Sequence, residues 1–141
     1  MIFVDTSFLF PLFHTGDIDH ERVREVLESY RGRRLRDLLV TTTYVVSETV
    51  TLIRTTPPRS HAAAVEAGDF LLSEAFARIH RPSPEEEVAA WALFKRYADK
   101  EYSFVDCLSF VIMEKLEIRE ALAVDEDFTH RFVAIPGPLK R

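Results

Sequence analysis

Short apolar segments alternate with longer helical segments along the chain, and this alternation limits the folds that the chain can adopt. Mainly apolar segments of four or five residues are typical of strands that are buried on both faces. Strands are predicted at "MIFVD" (1–5), "LLVTT" (38–42), "FARIH" (76–80), "ALAVD" (121–125) and "FVAI" (132–135). Because parallel strands need helical connections, the pattern predicts an α/β three-layer sandwich with a mostly parallel central sheet flanked by helices.

Helical periodicity and capping residues locate the helices between these strands. Ser60 and Ser83 stand where N-caps are expected, and Pro84 suits a first helical turn. The segment "TYVVSETVTLIR" (43–54) is ambiguous, since its Val and Thr content favours a strand and its length favours a helix. Other helices are predicted at 6–13 (disturbed by Pro11), 17–31, 60–75, 83–99 and 103–116, with a turn at 125–131 and a loose tail at 136–141.

The length and composition are typical of one globular domain spanning 1–141. No apolar run reaches the ~20 residues that a membrane helix needs. The first residues lack the basic region and the cleavage site of a signal peptide. The single cysteine, Cys107, has no partner for an internal disulfide, and it fits a reducing cytoplasm. We therefore expect a cytoplasmic protein.

The charged residues are unevenly divided between types. A net charge of −5 argues weakly against a protein that coats nucleic acid, yet the chain has fourteen Arg and four Lys. The one dense basic patch is "RGRRLRD" (31–37), and its four arginines are candidate contacts for RNA or an acidic partner: Arg31, Arg33, Arg34 and Arg36. A solvated loop is an equally good interpretation of each. The chain contains no Asn or Gln, the side chains that read adenine edges.

Two predicted strands end in carboxylates, at Asp5 and at Asp125, with Asp127 just beyond. Ligands of parallel sheets bind at the carboxyl ends of the strands. If the two strands are neighbours, these acids share one edge of the sheet. Each acid also has a purely local explanation, because Asp5 could cap the following helix and Asp125 could belong to an ordinary turn.

Two further acids lie in apolar surroundings. Asp106 interrupts "SFVDCLSFVIMEKL", where it forms a capping-box spacing with Ser103 and a polar stripe with Ser109. Glu48 lies between apolar residues in "YVVSETVTLI", where an exposed helix face is the alternative. Clustered carboxylates raise one another's pKa values, and a divalent cation removes that conflict. Oxygen-only ligands favour Mg²⁺ or Mn²⁺ over zinc.

These pieces together resemble the PIN-domain family, and within it the VapC-type toxins of bacterial and archaeal toxin–antitoxin pairs. The resemblance is carried by "VDTS", "SET" in the third predicted helix, "YSFVDCLSFVIMEKL" and "ALAVDEDF", in that order over essentially the whole chain. It implies a PIN-like fold with four catalytic, metal-binding acids: Asp5, Glu48, Asp106 and Asp125. It also implies supporting roles for Ser7 and Asp127.

The resemblance further implies an endoribonuclease that uses Mg²⁺, with Mn²⁺ as a substitute, and that leaves 5′-phosphate and 3′-hydroxyl ends. A cognate antitoxin and a homodimer are expected on the same ground. Two alternatives stay open, a housekeeping RNA-processing nuclease without an antitoxin and a catalytically idle module that binds RNA or a partner. An aspartyl phosphatase is less favoured, because Ser7 occupies the position where that chemistry needs a second Asp.

Overall fold

A five-stranded sheet forms the centre of the molecule. The computed structural model describes residues 1–139, and its strands are β1 (Ile2–Val4), β2 (Leu39–Thr42), β3 (Arg78–His80), β4 (Glu120–Ala123) and β5 (Val133–Pro136). The strand order is β3-β2-β1-β4-β5, and every neighbouring pair is parallel. β1 is the middle strand, where Phe3 is level with Val40 of β2 and with Ala121 of β4.

Helices flank this sheet. Within residues 1–139 they are α1 (Thr6–Phe13), α2 (His20–Glu28), α3 (Leu35–Leu38), α4 (Thr43–Thr55), α5 (His61–Leu72), α6 (Pro84–Arg96), α7 (Phe104–Lys115) and a 3₁₀ helix (Glu126–His130). None of these helices has both the length and the apolar character needed to cross a membrane. The predicted α/β architecture is confirmed; the last two residues of the predicted tail, 140 and 141, lie outside the described residues.

Four segments differ from their predictions or resolve an open one. The ambiguous segment 43–54 is helical, because the Thr42 hydroxyl caps α4 and the helix buries apolar residues such as Val45 and Ile53. This tertiary packing outweighs the strand preference of Val and Thr. Helix α3 was not predicted, since four residues are too few to show a helical period. The predicted turn at 125–131 is mostly the 3₁₀ helix, and α1 continues for two residues beyond Pro11.

Aromatic packing fixes the elements that carry the acids of interest. The ring of Phe128, in the 3₁₀ helix, lies 6.5 Å from that of Phe3 in β1 and 5.1 Å from that of Phe110 in α7, between centroids. All three side chains are fully buried. Cys107 is buried beside them, and burial raises the pKa of its thiol to about 11, which suits a core residue.

The buried carboxylate of Glu86 joins the edge strand β3 to the helices α6 and α7. Glu86, in the first turn of α6, accepts hydrogen bonds from the Ser83 backbone N–H (2.8 Å) and from Lys115 Nζ in α7 (3.0 Å), and it lies 2.9 Å from His80 Nε2 of β3. Ser83 returns the capping-box bond by accepting from the Glu86 N–H. Burial opposes ionisation, but these bonds outweigh it and lower the pKa of Glu86 to about 2.

We expect Glu86→Gln to lower the free energy of unfolding by about 1–3 kcal/mol at pH 7, because the charge-assisted bonds are lost. The pKa of Glu86 is lower in the folded protein than its ordinary value of 4.5, so its stabilising contribution is present above pH 4.5 and disappears as the pH falls toward 2. Urea unfolding at pH 7 and at pH 3 measures both effects. Glu85→Gln, at an exposed neighbouring position, is the control. Equal urea midpoints for the two variants at pH 7 would contradict a stabilising role for the hydrogen bonds to Glu86.

Candidate active site

Two of the predicted acids share the carboxyl edge of the sheet. β1 and β4 are adjacent and parallel, with Val4 level with Leu122. Asp5 directly follows β1, and Asp125 lies two residues beyond the end of β4. The Asp5 N–H donates to the Leu122 carbonyl at 3.0 Å, so the hydrogen bonds between β1 and β4 continue as far as Asp5. β1 is also where the strand order reverses, the point at which α/β sheets bind their ligands.

Ser7 connects these two strand ends. Its hydroxyl oxygen accepts hydrogen bonds from the N–H groups of Val124 (3.0 Å) and Asp125 (3.2 Å). Its own N–H donates to Asp5 Oδ2 at 3.0 Å, so Asp5 also caps α1. On the other side, Asp125 Oδ1 accepts from the Asp127 N–H at 3.1 Å. The capping predicted for Asp5 is therefore present, together with its place at the sheet edge.

Asp106 occupies the first turn of α7 and is partly buried. The predicted capping box is present: the Ser103 hydroxyl accepts from the Asp106 N–H, and Asp106 Oδ2 accepts from the Ser103 N–H, both at 3.0 Å. Ser109 is buried, and its hydroxyl donates to the Val105 carbonyl at 2.9 Å. Of this predicted polar pair, Asp106 lines the pocket that the acids share and Ser109 does not.

The acids meet in one open groove of about 500 Å³. Glu48 enters it from α4, which is the fourth helix once α3 is counted. Eight carboxylates line the groove: Asp5, Asp17, Asp19, Glu48, Glu101, Asp106, Asp125 and Asp127. Among residues 1–139, none that lines it is Lys, Arg or His. All five acids singled out in the sequence thus lie in one groove, which we call the acidic groove.

Five residues of this region escaped sequence reasoning. Asp17, Asp19 and Glu101 come from connections beside α1 and α7, and nothing in their sequence context distinguishes them from surface acids. Tyr102 is buried, and its hydroxyl lies 2.9 Å from His130 Nδ1, which joins the start of α7 to the 3₁₀ helix. Only the tertiary contact reveals this connection between two sides of the groove.

A family model described as "PIN domain" matches residues 2–131. The chain belongs to the PIN-domain family. Two proteins named 23S rRNA-specific endonuclease VapC20, from Mycobacterium tuberculosis strains CDC 1551 and H37Rv, are each 36% identical to it over 129 residues, which is 92% of this chain and 92% of theirs.

A solved structure supports the same relationship. The crystal structure of Mycobacterium tuberculosis VapC20, described as a sarcin-ricin loop cleaving toxin, matches with a TM-score of 0.81 and 35% identity. The match covers 92% of this chain and 94% of that one. The chain is therefore a homologue of VapC-type endonucleases over nearly its whole length.

The carboxylates of this PIN-domain groove are held in an unfavourable environment for negative charge. Burial raises the pKa of Asp5 to about 6, against the hydrogen bonds from Ser7, and the charge of Glu48 raises it further. Burial and the neighbouring Asp5 raise the pKa of Asp106 to about 7. Burial and Asp125 raise the pKa of Asp127 as well. These acids repel one another, and within residues 1–139 no Lys, Arg or His lines the groove to offset that repulsion.

The donors present suit a hard divalent cation. Asp5 Oδ1 is buried without a hydrogen-bond partner, which is costly for a carboxylate oxygen unless a cation or a donor reaches it. The described residues that line the groove supply carboxylate oxygens and no sulfur or imidazole ligand, as Mg²⁺ and Mn²⁺ prefer. Within the described chain, no three His, Cys, Asp or Glu side chains already converge closely enough to hold an ion. An ion that used three of these acids would have to draw them closer together.

The basic patch lies away from this groove. Arg31, Arg33, Arg34 and Arg36 precede β2, so they stand at the amino edge of a wholly parallel sheet, whereas Asp5 and Asp125 stand at the carboxyl edge. Arg31 pairs with Glu28 in the neighbouring helix. The patch therefore does not line the groove, and its contact with RNA or a partner stays a prediction.

In chelator, Asp106→Asn is expected to melt above the wild type at pH 8, by a few degrees, and to lose this advantage as the pH falls to 4. The folded pKa of Asp106 is about 7, above its ordinary 3.8, so ionising it destabilises the fold between those pH values. Asparagine keeps an oxygen for the Ser103 N–H, so the helix cap survives. Melting temperatures of both proteins from pH 4 to 8 test this. A constant difference in melting temperature across that range would contradict the raised pKa of Asp106.

Proposed function

We propose that this chain is a divalent-cation-dependent endoribonuclease of the VapC type. The observation that carries the proposal is the meeting of acids from β1, α4, α7 and the end of β4 in one groove, with Asp5 Oδ1 buried and unpartnered. Its relatives support a nuclease, since their names describe an endonuclease specific for 23S rRNA.

The four acids are proposed to bind the cation as two principal ligands and two further ligands. Asp5 and Asp106 are the principal ligands, because their pKa values are raised most and each has one oxygen bound by an amide. Glu48 and Asp125 complete the set, directly or through water. Mg²⁺ is the proposed ion and Mn²⁺ its substitute. When bound, such an ion lowers the pKa of water and offsets charge that develops on the phosphate.

The remaining residues of the groove position these ligands. The Ser7 N–H donates to Asp5 and the Ser7 hydroxyl accepts from the Asp125 N–H, so Ser7 holds the end of β4 beside Asp5. The Asp127 N–H donates to the Asp125 carboxylate and holds it in place. The acids must be ionised to bind a cation, so activity is expected to fall as the pH drops below about 7, first through protonation of Asp106 and then of Asp5. Cys107 is buried with a raised pKa, which argues against a covalent cysteine nucleophile. Hydrolysis would leave a 5′-phosphate and a 3′-hydroxyl.

The proposed substrate is a loop of structured ribosomal RNA. A relative's structure is described as that of a sarcin-ricin loop cleaving toxin, and the match spans more than nine-tenths of both chains. We propose the same class of target for this chain. As a VapC-type protein it would be the toxin of a toxin–antitoxin pair, with a cognate antitoxin as its protein partner.

Asp5→Asn and Asp106→Asn are each expected to reduce the rate of RNA cleavage in Mg²⁺ at least about a hundredfold, because each removes a charge that holds the ion. Cleavage of ribosomal RNA by the purified variants measures this. Asp69→Asn, at an exposed acid of α5 outside the groove, should cleave like the wild type. Mn²⁺ should raise the melting temperature of the wild type and not that of Asp106→Asn. Wild-type rates in both groove variants would refute the site.

A homodimer is the proposed assembly. α6 exposes an apolar strip in which Val88, Trp91 and Phe94 are 71%, 50% and 38% exposed, and the rings of Trp91 and Phe94 stack at 5.4 Å. Exposed apolar groups of this kind are stabilised by burial in an interface. A second copy of the chain is the occupant that we propose.

Trp91→Glu should convert the homodimer to a monomer that still unfolds cooperatively, because it places a charge at the centre of the strip. Its melting temperature should fall, since the dimer stabilises the fold and Trp91 also packs against Phe104. Sedimentation velocity measures the mass in solution. Ala89→Glu adds the same charge at an exposed position on another side of α6, and it should leave the dimer intact. A wild type that sediments as a monomer at every concentration would refute the dimer.

A further inference from the structure

A second cavity, of about 490 Å³, adjoins the acidic groove. Glu48 and Leu52 of α4 line both spaces, so the two are neighbours. The remaining lining differs in chemistry from the groove, since it consists of hydroxyl groups, one aromatic ring and one aliphatic side chain. We call this space the hydroxyl cavity; the residues that line it alone are Thr43, Tyr44, Ser47, Thr51 and Val105.

Three hydroxyl groups form a row along one side of α4. Thr43, Ser47 and Thr51 are four residues apart, so they share one face of the helix. The hydroxyls of the flanking residues are engaged, because Thr42 accepts from the Val45 N–H and Thr55 donates to the Thr51 carbonyl. In contrast, the side chains of Thr43, Ser47 and Thr51 make no hydrogen bond to another of residues 1–139, which leaves them free for a ligand.

Tyr44 supplies a flat wall that is held in place. Its hydroxyl donates to the Glu87 carboxylate, and its ring packs edge-to-face against Phe104, with centroids 6.1 Å apart and planes at 69°. Val105 of α7 lines the same cavity, next in sequence to Asp106. A fixed aromatic ring, an aliphatic neighbour and uncharged hydroxyls are suited to a planar, neutral group.

We infer that the hydroxyl cavity binds one unpaired nucleobase of the RNA, next to the phosphate that is cleaved. The inference rests on the proposed nuclease function, because Glu48 connects the cavity to the acids that would act on that phosphate. Eight carboxylates repel a phosphate chain, whereas a base is neutral and can enter the hydroxyl cavity without that cost. Stacking against an aromatic ring is a common way for proteins to hold an unpaired base.

The lining also determines which bases fit. Hydroxyl groups both donate and accept hydrogen bonds, so each can turn to suit either kind of base edge. The chain contains no Asn or Gln, whose amides would select adenine by two fixed bonds. The cavity therefore accepts any of the four bases with little preference, and it selects for an unpaired nucleotide rather than for its identity.

The test uses the full chain and a short RNA hairpin whose unpaired loop carries 2-aminopurine at each position in turn. Titration in Ca²⁺, which supports binding without turnover in many Mg²⁺ enzymes, should quench the fluorescence at one position. Ser47→Leu/Thr51→Leu fills the cavity and removes two hydroxyls at exposed helix positions, so the fold should survive. This double variant should lose the quenching. Thr55→Leu, on the same helix but outside the cavity, should keep it.

Cleavage in Mg²⁺ provides the second measurement. An abasic nucleotide at the quenched position should lower kcat/KM about tenfold or more in the wild type and in Thr55→Leu, and less than about twofold in the double variant. Quenching that persists in the double variant, or an unchanged abasic effect there, would overturn the subsite. Cleavage without any position-specific quenching would overturn the subsite and keep the nuclease. Quenching without any cleavage would keep the subsite and overturn the nuclease.

Discussion

The parallel pairing of β1 with β4 is the contact on which the acidic groove depends. It brings two strand ends, each followed by a carboxylate, to the same edge of the sheet, and Ser7 then bonds one end to the other. The buried rings of Phe3, Phe110 and Phe128 hold the surrounding elements against this pair. Hydrophobic packing therefore holds together carboxylates whose ionisation is opposed by burial and by their mutual repulsion, and both causes raise the pKa values of Asp5 and Asp106.

Most of the fold could be predicted from the sequence, because buried strands and amphipathic helices leave local patterns. The capping serines marked three helix starts correctly: Ser60, Ser83 and Ser103. The segment 43–54 could not be settled in this way, because its composition and its length favoured different structures. Its burial against neighbouring helices decides the matter, and that information is not local. The four residues of α3 leave too short a pattern to detect.

The candidate site was predictable where an acid stood in an unusual context. Asp5 and Asp125 follow apolar strands, and Asp106 interrupts an apolar helix, so each was noticeable in the sequence. Asp17, Asp19 and Glu101 lie in ordinary polar connections, and only the fold brings them to the groove. The arginines at 31–36 were candidate contacts for RNA or an acidic partner, and their density gave no indication of where they lie; the parallel sheet puts them at the edge opposite to the acids. The family resemblance supplied the order of the motifs, whereas distances came from the structure.

The backbone amides that hold the acids have a consequence for the entropy of binding. Asp5, Asp106 and Asp125 each accept a hydrogen bond from a nearby backbone N–H through one oxygen, so each side chain is confined to few rotamers before any ligand arrives. The loss of conformational entropy of these three side chains has thus already occurred on folding, before a ligand binds. Glu48 has the longest side chain of the four, and no hydrogen bond to the rest of residues 1–139 confines it. The freedom that remains is concentrated in one side chain, which also lies where the two cavities meet. Glu48 is the acid whose position can adjust to what each cavity contains.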